Sequence, residues 1–543
     1  MPASPFGDAV SMPSPLALAL CALLPQQALL PQQALRPQQP PAPRTVAESS
    51  GFTATSTAAD VLRFCHAATE LPHGDRLALR TLGPTAGGHD QLLVHVRLPD
   101  GKPRLRVLVI GNIHGGEVEG KEALQQLVRE FALGEHTALL EHVELWLLPI
   151  YNVDGNEWMA LGNRRGQNGP DVCGRRENAQ GLDLNRDFVK ADAPETRTLL
   201  ALFAELDPDL FVDLHTTNGS HHGYHLTFAP SLSPNVDSRV AASNRTLLDR
   251  AQTAMQRDHG FATFDYGNFE TRDWDGSGAP ESKAGERGWY TYDHRARYGV
   301  NYFGLRSRLA VLVEAYSYCD FATRVAATRA FVVCLCEALA DEPMRQSFAA
   351  AATAAAVRAD SGAWELGFGT TFAEPEPMDV LVGEVDRVEE TEGRPPRFER
   401  QGDGVPERMP VVRAFRATRQ RALPTAWAIA APGEDVRDRL TLHGVTFERL
   451  DAPRTVRAER FAVAKKRKPK RPYQGHQELV LEGEWMAPAD VELPAGALVV
   501  PARQRLARLA AVLLEPESED SLSTWNFFEA DTGDHYPVLR VVE

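Results

Sequence analysis

Three residues of this 543-residue chain are of types that hold a borderline metal ion: His114, Glu117 and His215. Imidazole nitrogen and carboxylate oxygen both suit zinc, and a catalytic zinc site uses three protein ligands with one position left open to water. His114 and Glu117 lie in His-Gly-Gly-Glu, where two glycines let both side chains turn toward one point. Alone the pair is weak, because such a spacing is common in polar strand-to-helix turns. His215 ends the run LFVDLH, where an unpaired imidazole at the end of a buried strand is costly and ligation offsets that cost. His221, His222 and His225 follow closely and read as pocket-lining or solvated. Glu314 ends another apolar run, LAVLVEA. A buried carboxylate needs either a catalytic purpose or an ion pair, for which Arg306 and Arg308 are the candidates.

The elements that must position these groups are legible as apolar runs. LRVLVIG (105–111) is a strand buried on both faces, followed at once by HGGE and by a helical pattern over 117–132. VELWLLPI (143–150), a helical stretch over 194–206, the run ending at His215, a strand over 309–315 and a helix over 323–341 continue the alternation. This predicts an α/β fold, a mixed, largely parallel sheet flanked by helices. Open sheets of this kind place their sites at the carboxyl ends of strands, and His114, His215 and Glu314 all fall there. Beyond Ser361, Pro, Gly and charged residues recur, with β-like runs at 426–430, 478–483 and 497–501 in place of helices. The expected organisation is an export signal and low-complexity linker over 1–44, a catalytic domain over 45–345, a helical linker over 346–362 and a β-rich accessory domain over 363–543.

Between the candidate ligands stands GLDLNRDF (181–188). HGGE, GLDLNRDF, DLHTTNG and LVEAYSY, in that order from Ile113 to Tyr318, resemble the motifs of zinc metallocarboxypeptidases, with a spacing similar to the cytosolic carboxypeptidase branch. The resemblance implies a carboxypeptidase-like fold, one zinc ion per chain and a peptide substrate with a free C-terminal carboxylate. It implies that Asn185 and Arg186 grip that carboxylate, which suits the planar fork of arginine. Asp183 would fix the tautomer of His114 from behind, its simpler role being to cap a turn. Arg176, nine residues before Asn185, would stabilise the oxyanion, with Arg164, Arg165 and Arg175 as competitors. Glu314 would be the general base. Of Tyr290, Tyr292, Tyr298 and Tyr302, Tyr292 has the spacing of the tyrosine that closes over substrate in digestive members.

Fifty-eight Lys and Arg against 73 Asp and Glu leave a net charge of −15, which makes nucleic acid a poor partner. The basic run KKRKPKRP (465–472) reads as a solvated loop. Six cysteines without regular spacing read as buried small groups. The apolar run at 15–24 is too short to span a bilayer and fits an export signal, although no basic residue precedes it. Two rival functions share parts of the pattern. An N-acyl amino-acid deacylase resembling aspartoacylase or succinylglutamate desuccinylase would carry HxxE, Asn-Arg and DLH, and an inactive peptide- or glycan-binding surface protein would need none of the set. The oligomeric state is not encoded in any of these features.

Overall fold

The computed structural model describes residues 41–543 except 218, 270–286, 363 and 390–392. The apolar run at 15–24 lies outside the described residues. Residues Ala42–Glu543 form one compact unit.

Its centre is an eight-stranded sheet built from β1 (Leu77–Pro84), β2 (Asp90–Val96), β3 (Leu105–Gly111), β4 (Val143–Leu148), β5 (Leu210–Thr216), β6 (Leu226–Pro230), β7 (Thr263–Asp265) and β8 (Leu309–Ala315). The order across the sheet is β1-β2-β4-β3-β5-β8-β6-β7. The central strands β4, β3, β5 and β8 run parallel, whereas β1, β2 and the β8–β6 pair are antiparallel. In the parallel strands successive side chains alternate between two cores. Val107, Val109, Val212, Leu214, Val311 and Val313 pack with helices α1 (Ala58–Thr69), α2 (Glu119–Leu133) and α4 (Ser238–Ala254). Leu108, Ile110, Phe211 and Leu312 face α3 (Pro194–Leu206) and α5 (Gly299–Leu305). Burial on both faces is why these strands read as unbroken apolar runs.

Helices α6 (Phe321–Ala340) and α7 (Glu342–Ser361) follow the sheet. The C-terminal region is β-rich, with a six-stranded antiparallel sheet and a long hairpin of Glu376–Val388 against Arg397–Val412. It differs from the expected pattern in containing two helices, α8 (Glu434–Leu442) and α9 (Ala507–Leu514). Every residue of α9 is buried. Trp427, Leu440, Leu509 and Trp525 of this region belong to the same core as α3 and α5. The region therefore closes over the helical face of the sheet next to the site.

The basic run begins within a strand, Phe461–Arg467, where Arg467 pairs with Glu482 at 2.6 Å, and continues as exposed loop. Cys65, Cys173, Cys319, Cys334 and Cys336 are buried free thiols. No described helix is long and apolar enough to cross a membrane.

Candidate metal and substrate site

The HGGE loop leaves the carboxyl end of β3 through Asn112, whose backbone is left-handed (φ 60°). The Asn112 amide then donates to the carbonyls of His114, Gly115 and Glu117 at 2.9–3.2 Å, winding the loop around itself. Both glycines are required by crowding. A Cβ on Gly115 would stand 2.3 Å from the Gly155 carbonyl carbon, and one on Gly116 would stand 2.8 Å from the Gly174 oxygen. Asn152, just beyond β4, ties this loop to the Arg176 segment by donating to the carbonyls of Ile113 and Arg176, both at 3.1 Å.

Strand β5 runs beside β3 and brings His215 level with the loop, and β8 sets Glu314 directly beside His215 in register. His114, Glu117 and His215 are all buried, with one ligand atom from each within 4.8 Å of the others. Glu117 Oε1 lies 2.8 Å from His114 Nδ1 and Oε2 lies 3.0 Å from His215 Nδ1. Each far nitrogen faces a further carboxylate: His114 Nε2 is 3.1 Å from Asp183, and His215 Nε2 is 2.9 Å from Asp213. When both Nε2 atoms donate outward, two imidazole lone pairs and a carboxylate converge without a proton between them. That arrangement suits a cation, and the donor set suits zinc.

Charge confirms the excess of acid around the imidazoles. Burial opposes ionisation of Glu117, but Arg164, with Nη1 at 2.7 Å, and the two histidines outweigh it and hold its carboxyl well below the usual range. Burial likewise disfavours protonated His215, yet Asp213 and Glu117 overcome it and push the imidazole well above its ordinary value. Glu314 lacks such compensation. Burial, only partly offset by His215, pushes its carboxyl up to about 8, and Oε2 has no hydrogen-bond partner. Neither proposed ion-pair partner reaches it: Arg306 bonds Tyr302 and the His443 carbonyl, and Arg308 pairs with Asp207.

A cavity of about 460 Å³ opens over these groups and is also lined by Arg176, Asp183, Asn185, Arg186 and Tyr292. Asp183 caps a short 3₁₀ turn, Leu184–Arg186, its carboxylate accepting the Asn185 N–H at 2.9 Å. Asp183 thus caps the turn and supports His114 together. Arg176 chelates it through Nε and Nη2 at 3.0 and 2.8 Å. Asn185 Oδ1 accepts the Gly299 N–H at 3.0 Å, leaving its Nδ2 as donor near His215. Arg186 stacks on the Tyr298 ring with 4.2 Å to the centroid. Of the four tyrosines weighed, Tyr292 and Tyr298 line the cavity, whereas Tyr302 is buried against His443. His221 is exposed as expected, but His222 is neither solvated nor at the cavity: its ring is buried 4.0 Å from that of Tyr316.

Several residues of this site carried no assignment from the sequence. Asp213 stands two before His215 on a strand, hence on the same face, and a carboxylate in so apolar a run was a usable signal. Arg164 was one of several competing arginines. Tyr473 and Gln474 of the C-terminal region also line the cavity, and nothing local marked them.

Residues 65–302 match the zinc carboxypeptidase family. Carboxypeptidase 2 of Trichophyton tonsurans is 25% identical to the chain over 453 residues, covering 81% of this chain and 77% of that protein. Carboxypeptidase Z of Homo sapiens is 38% identical over 117 residues, 20% of this chain and 18% of that protein. Among solved structures, a metallo-carboxypeptidase from Burkholderia cenocepacia overlies 52% of this chain and 69% of its own at 17% identity, with a TM-score of 0.39.

Proposed function

We propose, from the match of residues 65–302 to the zinc carboxypeptidase family, that the chain hydrolyses the C-terminal amide bond of peptides, with His114, Glu117 and His215 holding one zinc ion and Glu314 as general base. The observation that carries this reading is the convergence of a three-ligand cluster, a buried carboxyl with one unpartnered oxygen and an Asn-Arg pair on one cavity. When bound, zinc supplies Lewis-acid polarisation of the scissile carbonyl. Asp183 and Asp213 keep the two imidazoles turned with their Nδ1 lone pairs inward. Arg186 and Asn185 Nδ2 offer convergent donors to the terminal carboxylate of the substrate. Glu314 takes a proton from the attacking water and returns it to the leaving amine. Burial raises the Glu314 carboxyl above its ordinary value, which makes it the stronger base for these transfers. Arg176 supplies a fixed positive charge toward the developing oxyanion, and Tyr292 walls the bound residue.

The test is hydrolysis of N-acetylated tripeptides with free or amidated C-termini, beside N-acyl amino acids, with zinc and after chelation. The expected result is cleavage of the free-acid peptides alone, lost on chelation and restored by one equivalent of zinc. Cleavage of N-acyl amino acids without cleavage of peptides would replace this reading with the deacylase one. The apolar run at 15–24 supports export of the chain, which N-terminal sequencing of the mature protein tests.

A further inference from the structure

Strands Phe461–Arg467 and Val480–Trp485 pair antiparallel, and the loop between them reaches the catalytic cavity. Its tip is a tight turn in which Tyr473 N–H donates to His476 O at 2.7 Å and His476 N–H to Tyr473 O at 3.0 Å. Gln474 (φ 50°) and Gly475 (φ 82°) form the bend. That backbone is natural for glycine but strained for glutamine, and such strain persists only where the surroundings over-determine it. Here they do. His476 Nε2 lies 2.8 Å from Asp192 Oδ2, the Asn526 side chain bonds both backbone groups of Gln477, and Glu478 receives Arg297 Nη1 at 2.7 Å.

The fixed loop delivers two side chains to the site. Gln474 Oε1 accepts the Asp183 N–H at 2.9 Å, and the Tyr473 hydroxyl accepts Arg186 Nε at 3.1 Å. Arg186 is already stacked on Tyr298 and donates Nη1 to the Asn185 carbonyl at 2.9 Å. Held at its face, at Nε and at Nη1, the guanidinium has its Nη2 end left for a ligand. Resting on the peptidase reading, we propose that Tyr473 and Gln474 are positioning residues of the substrate-carboxylate clamp, so that the C-terminal region completes the binding site of the catalytic half. Tyr473 acts through Arg186 by setting the plane of its fork, and Gln474 acts through Asp183 by holding the turn that carries Asn185.

The proposal is tested on the full chain with Tyr473→Phe and Gln474→Ala. The first readout is binding of N-acetyl-phenylalanine, N-acetyl-lysine and N-acetyl-glutamate, each as free acid and as amide, which requires no turnover. Wild type should prefer the acids, and Tyr473→Phe should weaken the best-bound acid about tenfold, the scale of one hydrogen bond to a charged group, without moving its amide. On a cleaved peptide the same variant should raise KM more than it lowers kcat, with zinc content and Tm unchanged. Unaltered acid binding in both variants overturns the proposal. So does an equal loss on acid and amide, which would make the loop a mere prop, or a wild type that does not distinguish the two. Acid-selective binding without peptide cleavage would instead count against the peptidase reading alone.

Discussion

Two clusters of charged and polar groups lie largely inside this protein, one around Glu117 and one at the seam where the C-terminal region meets α5, and they are satisfied very differently. At the seam Arg297 bonds Asp520 and Glu478 and stacks over Trp525, 4.6 Å from its centroid. Arg439 reaches Asp192 and the Lys190 carbonyl, while His443 accepts from Tyr302 and donates to the Val189 carbonyl. Each charged side chain there has a partner, although the Trp525 indole N–H and Arg306 Nε meet none. Around Glu117, by contrast, the buried Glu314 Oε2 meets nothing. Closed networks of buried charge specify how regions dock, whereas an open one marks where a ligand is to be supplied.

The sharpest way to break this comparison is to change one group in the open cluster. Glu314→Gln should lower kcat by about 10³-fold or more, in the range lost with a general base, while zinc content by elemental analysis stays at the wild-type level. His114→Ala should lose zinc and activity together. Full activity of the glutamine variant would move the base elsewhere.

In the closed cluster the same logic predicts a stability effect. Arg297→Ala strands Asp520 and Glu478 and should cost about 3–5 kcal/mol in denaturant unfolding, with less effect on zinc binding. A loss below 1 kcal/mol would show that the seam is not fixed by this ion pair.

The seam should also respond to acid. Burial holds His443 down to about 3 from an ordinary 6.5, so it stays neutral in the folded chain while the unfolded chain takes up a proton. Its contribution is fully present above pH 6.5 and is lost as pH falls toward 3, at about 1.4 kcal/mol per pH unit. Urea midpoints against pH should therefore have a shallower acid limb in His443→Gln, and parallel limbs would contradict the assignment.

The smallest expected effect is Tyr302→Phe, which removes the hydroxyl shared by His443 and Arg306. About 1–2 kcal/mol of stability should be lost with zinc content unchanged.

Much of this contrast was legible before any coordinates. Strands β3 and β8 fall where their apolar runs predicted, because burial on both faces writes a continuous signal. The long strands Glu376–Val388 and Arg397–Val412 escaped, since they are largely exposed or half-buried and carry no unbroken apolar run. The seam escaped too, because a paired arginine in a fold looks like any surface arginine in a sequence.

The sequence alone offered the candidates for the site: His114, Glu117, His215 and Glu314 stand out as titratable groups at the ends of apolar runs, and Asn185 and Arg186 through the resemblance carried by GLDLNRDF. Tertiary structure alone decided how those groups are held. Asp183 meets Gln474 across 291 residues, and Arg186 meets Tyr473 across 287. No local pattern encodes such pairs, because they exist only once the core shared by α3, α5 and the C-terminal region has packed.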